Sequence, residues 1–168
     1  AGRFAQAYAG SGGYRRHMSM NIMRLDRVND IKSAPGHMRA LRDDDLFFAP
    51  YWECAFGEEC HVEFYGIPAH TQRLRSRIGK DTHFIWEDAV PVSQAVHGRS
   101  TVHGAVITGV YTPPHYRGNG YASSVVAELS QLLLDRGCKF CCLFADAQNP
   151  ISCGIYRNNP VLDLDYAE

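Results

Sequence analysis

The chain has 168 residues, 45% of them apolar and 21% charged, which suits one domain with an ordinary core and excludes disorder throughout. Seventeen basic against eighteen acidic side chains leave a formal charge of −1, without the basic excess of a typical nucleic-acid-binding domain. The apolar runs are far shorter than the roughly 20 residues a membrane-spanning helix needs, so no membrane partner is expected.

In chain order, Gly10, Ser11, Gly12 and Gly13 resist regular structure. This start has no apolar signal segment, and a cytoplasmic location is the expectation. Met18, Met20 and Ile22 alternate with Ser19 and Asn21, the period of a strand. Pro35-Gly36 interrupts the chain, and His37 to Arg42 reads as a short strand. Asp43-Asp44-Asp45 sets acidic groups at the positive end of a helix dipole. The helix it opens is expected to carry Leu46, Phe47, Tyr51, Trp52, Ala55 and Phe56. A second helix is expected over 67–78. Residues 82–87 and 90–97 flank Asp88-Ala89 as a hairpin. A third strand covers about 104–112, and Gly109 inside it marks a bulge or a close ligand approach.

Next come Pro113-Pro114-His115-Tyr116-Arg117-Gly118-Asn119-Gly120 and a helix with Ala122, Val125, Val126, Leu129 and Leu133 at helical spacing. Gly137 ends that helix. The apolar stretch 139–146 then completes a βαβ unit with parallel strands, and its continuity predicts cover on both faces. Asn149-Pro150 opens a short helix, with Asn at the cap and Pro at the first position. The fold class is α/β with a mixed sheet.

Six cysteines, Cys54, Cys60, Cys138, Cys141, Cys142 and Cys153, are too few to read as a disulfide framework. Cys138-x-x-Cys141 has metal-ligand spacing, but no second pair follows. The expectation is reduced thiols in or near the core, and no metal. A metal or redox role for Cys138 and Cys141 stands as the third-ranked function.

The chemistry concentrates in the glycine-rich turn. Gly118 and Gly120 let the backbone curl into a helix start whose first N–H groups lack partners, a site for phosphate. Arg117 adds a positive charge. It is neither a Walker loop nor the dinucleotide fingerprint. Pro113 and Pro114 cannot donate to a ladder, so the strand just before them is available to pair with something else. Asn149, Ser152 and Tyr156 share one helical face at the end of the following strand, where open α/β sheets bind ligands.

The segment from Val110 to Ala122 resembles the acetyl-CoA motif of the GNAT superfamily of N-acetyltransferases: Arg or Gln, two residues, Gly, one residue, Gly or Ala. Arg117, Gly120 and Ala122 fill that pattern. Asn149 to Tyr156 resembles the family's second signature, a short helix opening with Asn and holding a Tyr. The resemblance is firm over about 82–157 and looser over 37–80. It implies an acyl-CoA N-acyltransferase fold over 35–168, preceded by an N-terminal extension, 1–34.

The resemblance also implies roles. Backbone N–H groups of Gly118, Asn119, Gly120, Tyr121 and Ala122 would hold the pyrophosphate of coenzyme A. Val110, Tyr111 and Thr112 would pair with the pantetheine arm, one N–H near Gly109 polarising the thioester carbonyl. Asn149 would contact the pantetheine or orient the last helix. Tyr156 would protonate the departing thiolate; a phenol near pKa 10 assisting a thiol near 8.5 faces a small penalty. The implied activity is transfer of an acetyl group from acetyl-CoA to a small-molecule or peptide amine. A coenzyme-A-binding module without catalysis is the alternative. A homodimer is compatible with the resemblance. Candidate bases are Glu58, Glu59, His61, Glu63, His97 and His103. One departure stands out: the family continues past Tyr156 with a turn and two strands, and here the remaining residues fit only one.

Overall fold

The computed structural model describes residues 7, 8, 13, 19–62, 65–148 and the backbone of 162 and 163. The strands are β1 (Met20–Leu25), β2 (His37–Ala40), β3 (His83–Asp88), β4 (Val90–Ser100), β5 (Gly104–Tyr111), β6 (Phe140–Asp146) and β7 (Leu162–Asp163). The helices are α1 (Ala49–Glu59), α2 (Ile67–Arg75) and α3 (Tyr121–Asp135). The described strands form one sheet in the order β2-β3-β4-β5-β6-β1-β7. β2 to β5 are antiparallel neighbours, and β6 joins β5 in parallel through α3, as a βαβ unit requires.

α3 covers one face. Its Val125, Val126, Leu129 and Leu133 pack on Phe84 and Trp86 of β3, Ile107 of β5, and Cys141, Leu143 and Ala145 of β6. On the opposite face a smaller cluster gathers Leu41, Ala49, Leu74 and Ile85 beneath α1 and α2. Strand alternation divides β3 between the two, with Phe84 and Trp86 toward α3 and His83 and Ile85 toward α1 and α2.

Three expectations need correction. The helix expected to run on from Asp43 is two elements. A 3-10 turn covers Asp43–Phe47, and α1 starts at Ala49. Pro50 is the reason, because it lacks an N–H and its ring clashes with the carbonyl four residues back. The apolar face expected for that helix holds only in part: Leu46 and Trp52 pack against the smaller cluster. Phe47 and Tyr51 are exposed, while Ala49, Pro50, Glu53 and Gly57 are buried. Third, among the described residues β6 is not covered on both faces: Cys141, Leu143 and Ala145 are buried, but Phe144 on the other face is 47% exposed. The Phe144 side of β6 lies beyond the cluster that α1 and α2 form over β3.

β1 lies within the segment expected as an extension, and it is a strand as its alternation predicts. It runs antiparallel along β6 from Met20 opposite Asp146 to Leu25 opposite Cys141. Met23 and Leu25 are buried in the core beneath α3. β7 pairs with the outer edge of β1, so the strand from the N-terminal side stands between β6 and the last described strand. The connection to β2 crosses the start of α3, where the Ala34 N–H donates to Ser124 Oγ at 2.8 Å and the Pro35 carbonyl accepts from Trp86 Nε1 at 2.8 Å. Gly36 (φ +103) has no room for a side chain, since a Cβ would collide with the Glu87 carbonyl oxygen.

Candidate active site

β5 ends at Tyr111, and Pro114–Tyr116 forms a 3-10 turn before the glycine loop. Gly118 (φ +80) and Gly120 (φ +81) both adopt the left-handed conformation, which glycine takes without steric cost. Gly120 caps α3, its carbonyl accepting from the Ser124 N–H at 3.0 Å. The Asn119 side-chain amide donates back to the Tyr116 and Arg117 carbonyls at 3.0 and 3.3 Å, which ties the loop down. Among the described residues the N–H groups of Gly118, Asn119, Gly120, Tyr121 and Ala122 have no acceptor. They lie at the positive end of a 15-residue helix, the arrangement that binds phosphate. Tyr121 turns its side chain away, its hydroxyl donating to Asp88 Oδ2 at 2.6 Å. That bond pushes the phenol's pKa up.

Beside the loop the parallel strands part. β5 and β6 pair only over Gly104–Val106 and Phe140–Cys142. From Ile107 onward the β6-facing edge of β5 has no strand partner among the described residues. Val110, Tyr111 and Thr112 lie on this stretch and just past its end. On the other side Ser93 Oγ donates to the Tyr111 carbonyl at 3.1 Å and holds the strand end to β4. The bulge expected at Gly109 is present: Val96 faces Thr108 but Gln94 faces Tyr111, one residue out of step, and Gly109 has φ +59.

Arg117 is directed away from the loop. Its Nε donates to the Thr112 carbonyl at 2.8 Å, and Nη2 donates to both carboxylate oxygens of Glu59 at 2.8 Å. In this structure the guanidinium braces the strand end against α1, and the loop presents backbone N–H groups.

A cleft of about 520 Å³ opens on the α1/α2 side of the sheet, lined by Glu53, Phe56, His70, Arg77, Thr108 and Gly109 among others. A buried polar chain forms its wall. Gln94 Nε2 donates to Glu53 Oε1 at 3.0 Å and to the Gly109 carbonyl at 3.3 Å. Gln94 Oε1 therefore accepts, and its partner is His83 Nε2 at 3.2 Å. That fixes the His83 tautomer and leaves Nδ1 to accept from Arg77 Nη1, 3.4 Å away. Burial is the main cause that pushes the His83 pKa down, to about 4, with Arg77 assisting and Glu53 opposing, so the ring is neutral at pH 7. Burial also lowers the pKa of His70, whose Nδ1 lies 3.8 Å from Glu53 Oε2. That nitrogen is buried and has no hydrogen-bond partner among the described residues.

The positions expected to bind a cofactor, Val110, Tyr111, Thr112, Arg117, Gly118, Asn119, Gly120, Tyr121 and Ala122, thus cluster at one end of the β5–β6 gap. Asn149, Ser152, Cys153, Tyr156 and Glu63 lie outside the described residues. Glu58, Glu59 and His61 are exposed on or after α1, Glu59 paired with Arg117. His97 contacts Ser100 at 3.1 Å, and His103 is exposed. None of these five lines the cleft. Among the described residues no three His, Cys, Asp or Glu side chains are grouped to hold a metal ion. The Cys141 thiol donates to the Ser130 carbonyl at 3.7 Å, and burial pushes its pKa up to about 12. No described helix is long and apolar enough to cross a membrane.

Sequence reasoning missed Glu53, His70, His83 and Gln94. For Glu53 a signal existed: once Pro50 is taken as the start of α1, Ala49, Glu53 and Gly57 fall on one stripe, which places a carboxylate among buried positions.

Residues 51–159 match the family model described as "Acetyltransferase (GNAT) domain". Solved structures share the fold at low identity. The GCN5-related N-acetyltransferase of Sphaerobacter thermophilus aligns with TM-score 0.73 and 18% identity, over 94% of this chain and 52% of its own, so this chain spans about half of that protein. The ribosomal-protein-alanine N-acetyltransferase of Brucella melitensis gives 0.63 and 19%, over 74% and 83% of the two chains. A Clostridium acetobutylicum chain described as a "predicted acetyltransferase with acetyl-CoA" gives 0.58 and 18%, over 79% and 94%. None of the curated proteins matches this chain.

Proposed function

The chain belongs to the GNAT acetyltransferase family, and from that premise we propose that it transfers the acetyl group of acetyl-CoA to a primary amine by direct attack. The observation that carries this reading is the row of unpartnered N–H groups from Gly118 to Ala122 at the mouth of the β5–β6 gap. The residues present fit coenzyme A. The loop donors and the α3 dipole suit a pyrophosphate. The unpaired edge of β5 at Val110 to Thr112 suits the amide groups of a pantetheine arm, which would add to it as a strand does. When bound, acetyl-CoA supplies an electrophilic carbonyl and a thiolate leaving group.

The protein's part is to orient and to manage charge. A backbone N–H next to the Gly109 bulge would stabilise the negative charge that grows on the carbonyl oxygen. Asn149 would contact the pantetheine or orient the last helix. Tyr156 would act as general acid toward the leaving thiolate. The open cleft beside Gly109 gives a small amine or a peptide end a route to the same point.

Calorimetric titration with acetyl-CoA tests the reading. The wild type should bind in the micromolar range, and Gly120→Glu, which puts a carboxylate where the phosphates belong, should not bind. Tyr156→Phe should bind and turn over more slowly; a coenzyme-binding module without catalysis would show binding alone in every form. Absence of wild-type binding would overturn the proposal.

A further inference from the structure

Glu53 is an acidic residue buried in a helix face, 8% exposed. A carboxylate at such a position is retained only where its oxygens are satisfied or used. Oε1 is satisfied by Gln94. Oε2 accepts no hydrogen bond among the described residues, and His70 Nδ1 lies 3.8 Å from it. His70 is itself 5% exposed, and its Nδ1 is buried without a hydrogen-bond partner among the described residues. The gap is too long for a hydrogen bond between the two groups. It is short enough for a single nitrogen seated between them to donate to both. Both side chains line the cleft, and the carboxylate lies beside the bulge, since a Cβ on Gly109 would stand 3.9 Å from Glu53 Oε1.

Building on the acetyl-transfer reading above, we infer that Glu53 and His70 form the docking point for the acceptor's amino group, with Glu53 Oε2 taking the proton the amine must lose before it attacks. An alkylammonium ion has all four valences of nitrogen occupied and is no nucleophile. Docked here, it donates one N–H to Glu53 and one to the lone pair of His70. Transfer of one proton to Glu53 yields a neutral amine and a carboxylic acid. The nitrogen lone pair forms the C–N bond to the acetyl carbon, the C–S bond breaks, and the sulfur leaves with its electron pair. The second N–H proton ends on that sulfur, and the Glu53 proton leaves through the open cleft. His83, Gln94 and Arg77 do not touch the amine. They act as positioning residues that hold Glu53 Oε1 and so aim Oε2.

Propylammonium chloride is the probe. It is titrated into coenzyme-free protein while the imidazole nitrogens of His70 are followed by NMR. A saturating shift in the wild type and none in Glu53→Gln is expected. No shift in the wild type, or the same shift in the variant, overturns the inference. With acetyl-CoA added, Glu53→Gln should lower kcat/KM for propylamine by about 10²-fold or more while acetyl-CoA affinity is unchanged. Glu53→Asp keeps a carboxylate one methylene farther back and should recover part of the rate. Equal losses in both variants, or a wild-type rate in Glu53→Gln, overturn it. Failure of the wild type to bind acetyl-CoA strikes the reading in the previous section instead, because the amine titration is read without the coenzyme.

Discussion

Gln94 uses both ends of its amide: one donates to Glu53 and Gly109, the other accepts from His83. Its neighbours thereby have fixed roles, and His83 is held neutral. Its pKa of about 4 in the fold lies below the ordinary histidine value of 6.5, so as pH falls the unfolded chain takes up a proton first. The stabilisation is therefore present above about pH 6.5 and lost as pH falls toward 4; the shift corresponds to about 3 kcal/mol. Urea unfolding of wild type and His83→Gln at pH 7.5 and 4.5 should show a steeper loss in the wild type. Parallel profiles would mean that His83 titrates alike in the folded and the unfolded chain. Only the burial of Glu53 left a signal in the sequence, in the stripe it shares with Ala49 and Gly57. His83, Gln94, Glu53 and Arg77 lie on separate elements, and no local spacing records that they meet.

Elements carried more of the message. The loop from Arg117 to Ala122 was readable because a turn into a helix is local, and glycines at 118 and 120 are needed where φ is positive. The bulge at Gly109 was readable for the same reason. The break before α1 was also written in the chain, at Pro50, but the acidic run before it reads as the stronger signal when taken alone. Pro113 and Pro114 marked the end of β5 as available, but the point after Val106 where β5 and β6 part left no trace, since a strand that stops pairing keeps its apolar residues. Gly109→Ala would test how far the bulge matters. The left-handed φ costs a non-glycine residue about 1–2 kcal/mol, and the new methyl would meet Val96 Cγ2 at 3.1 Å. Denaturant unfolding should show that loss, and acetyl transfer should fall more than acetyl-CoA affinity does. An equal fall in both would remove the bulge from the chemistry.

Across the whole molecule, the family resemblance left the sheet short of a strand after Tyr156, and the structure meets β6 with β1. Sequence alternation identified β1 as a strand but carried no information about its partner, because the same pattern fits any edge. Removing residues 1–26 takes Met23 and Leu25 out of the core and bares the edge of β6. The truncated chain should unfold at lower temperature than the full chain and self-associate on size-exclusion chromatography; a truncated monomer with unchanged unfolding would show that β1 is dispensable. The pairing also sets an order in time. Met23 lies opposite Leu143, 120 residues further along the chain. At about 5–20 residues per second on the ribosome, β1 is exposed for about 6–24 s before its partner is made. Through that interval the growing chain carries β1 without its β6 partner, and this side of the sheet closes only once β6 is made.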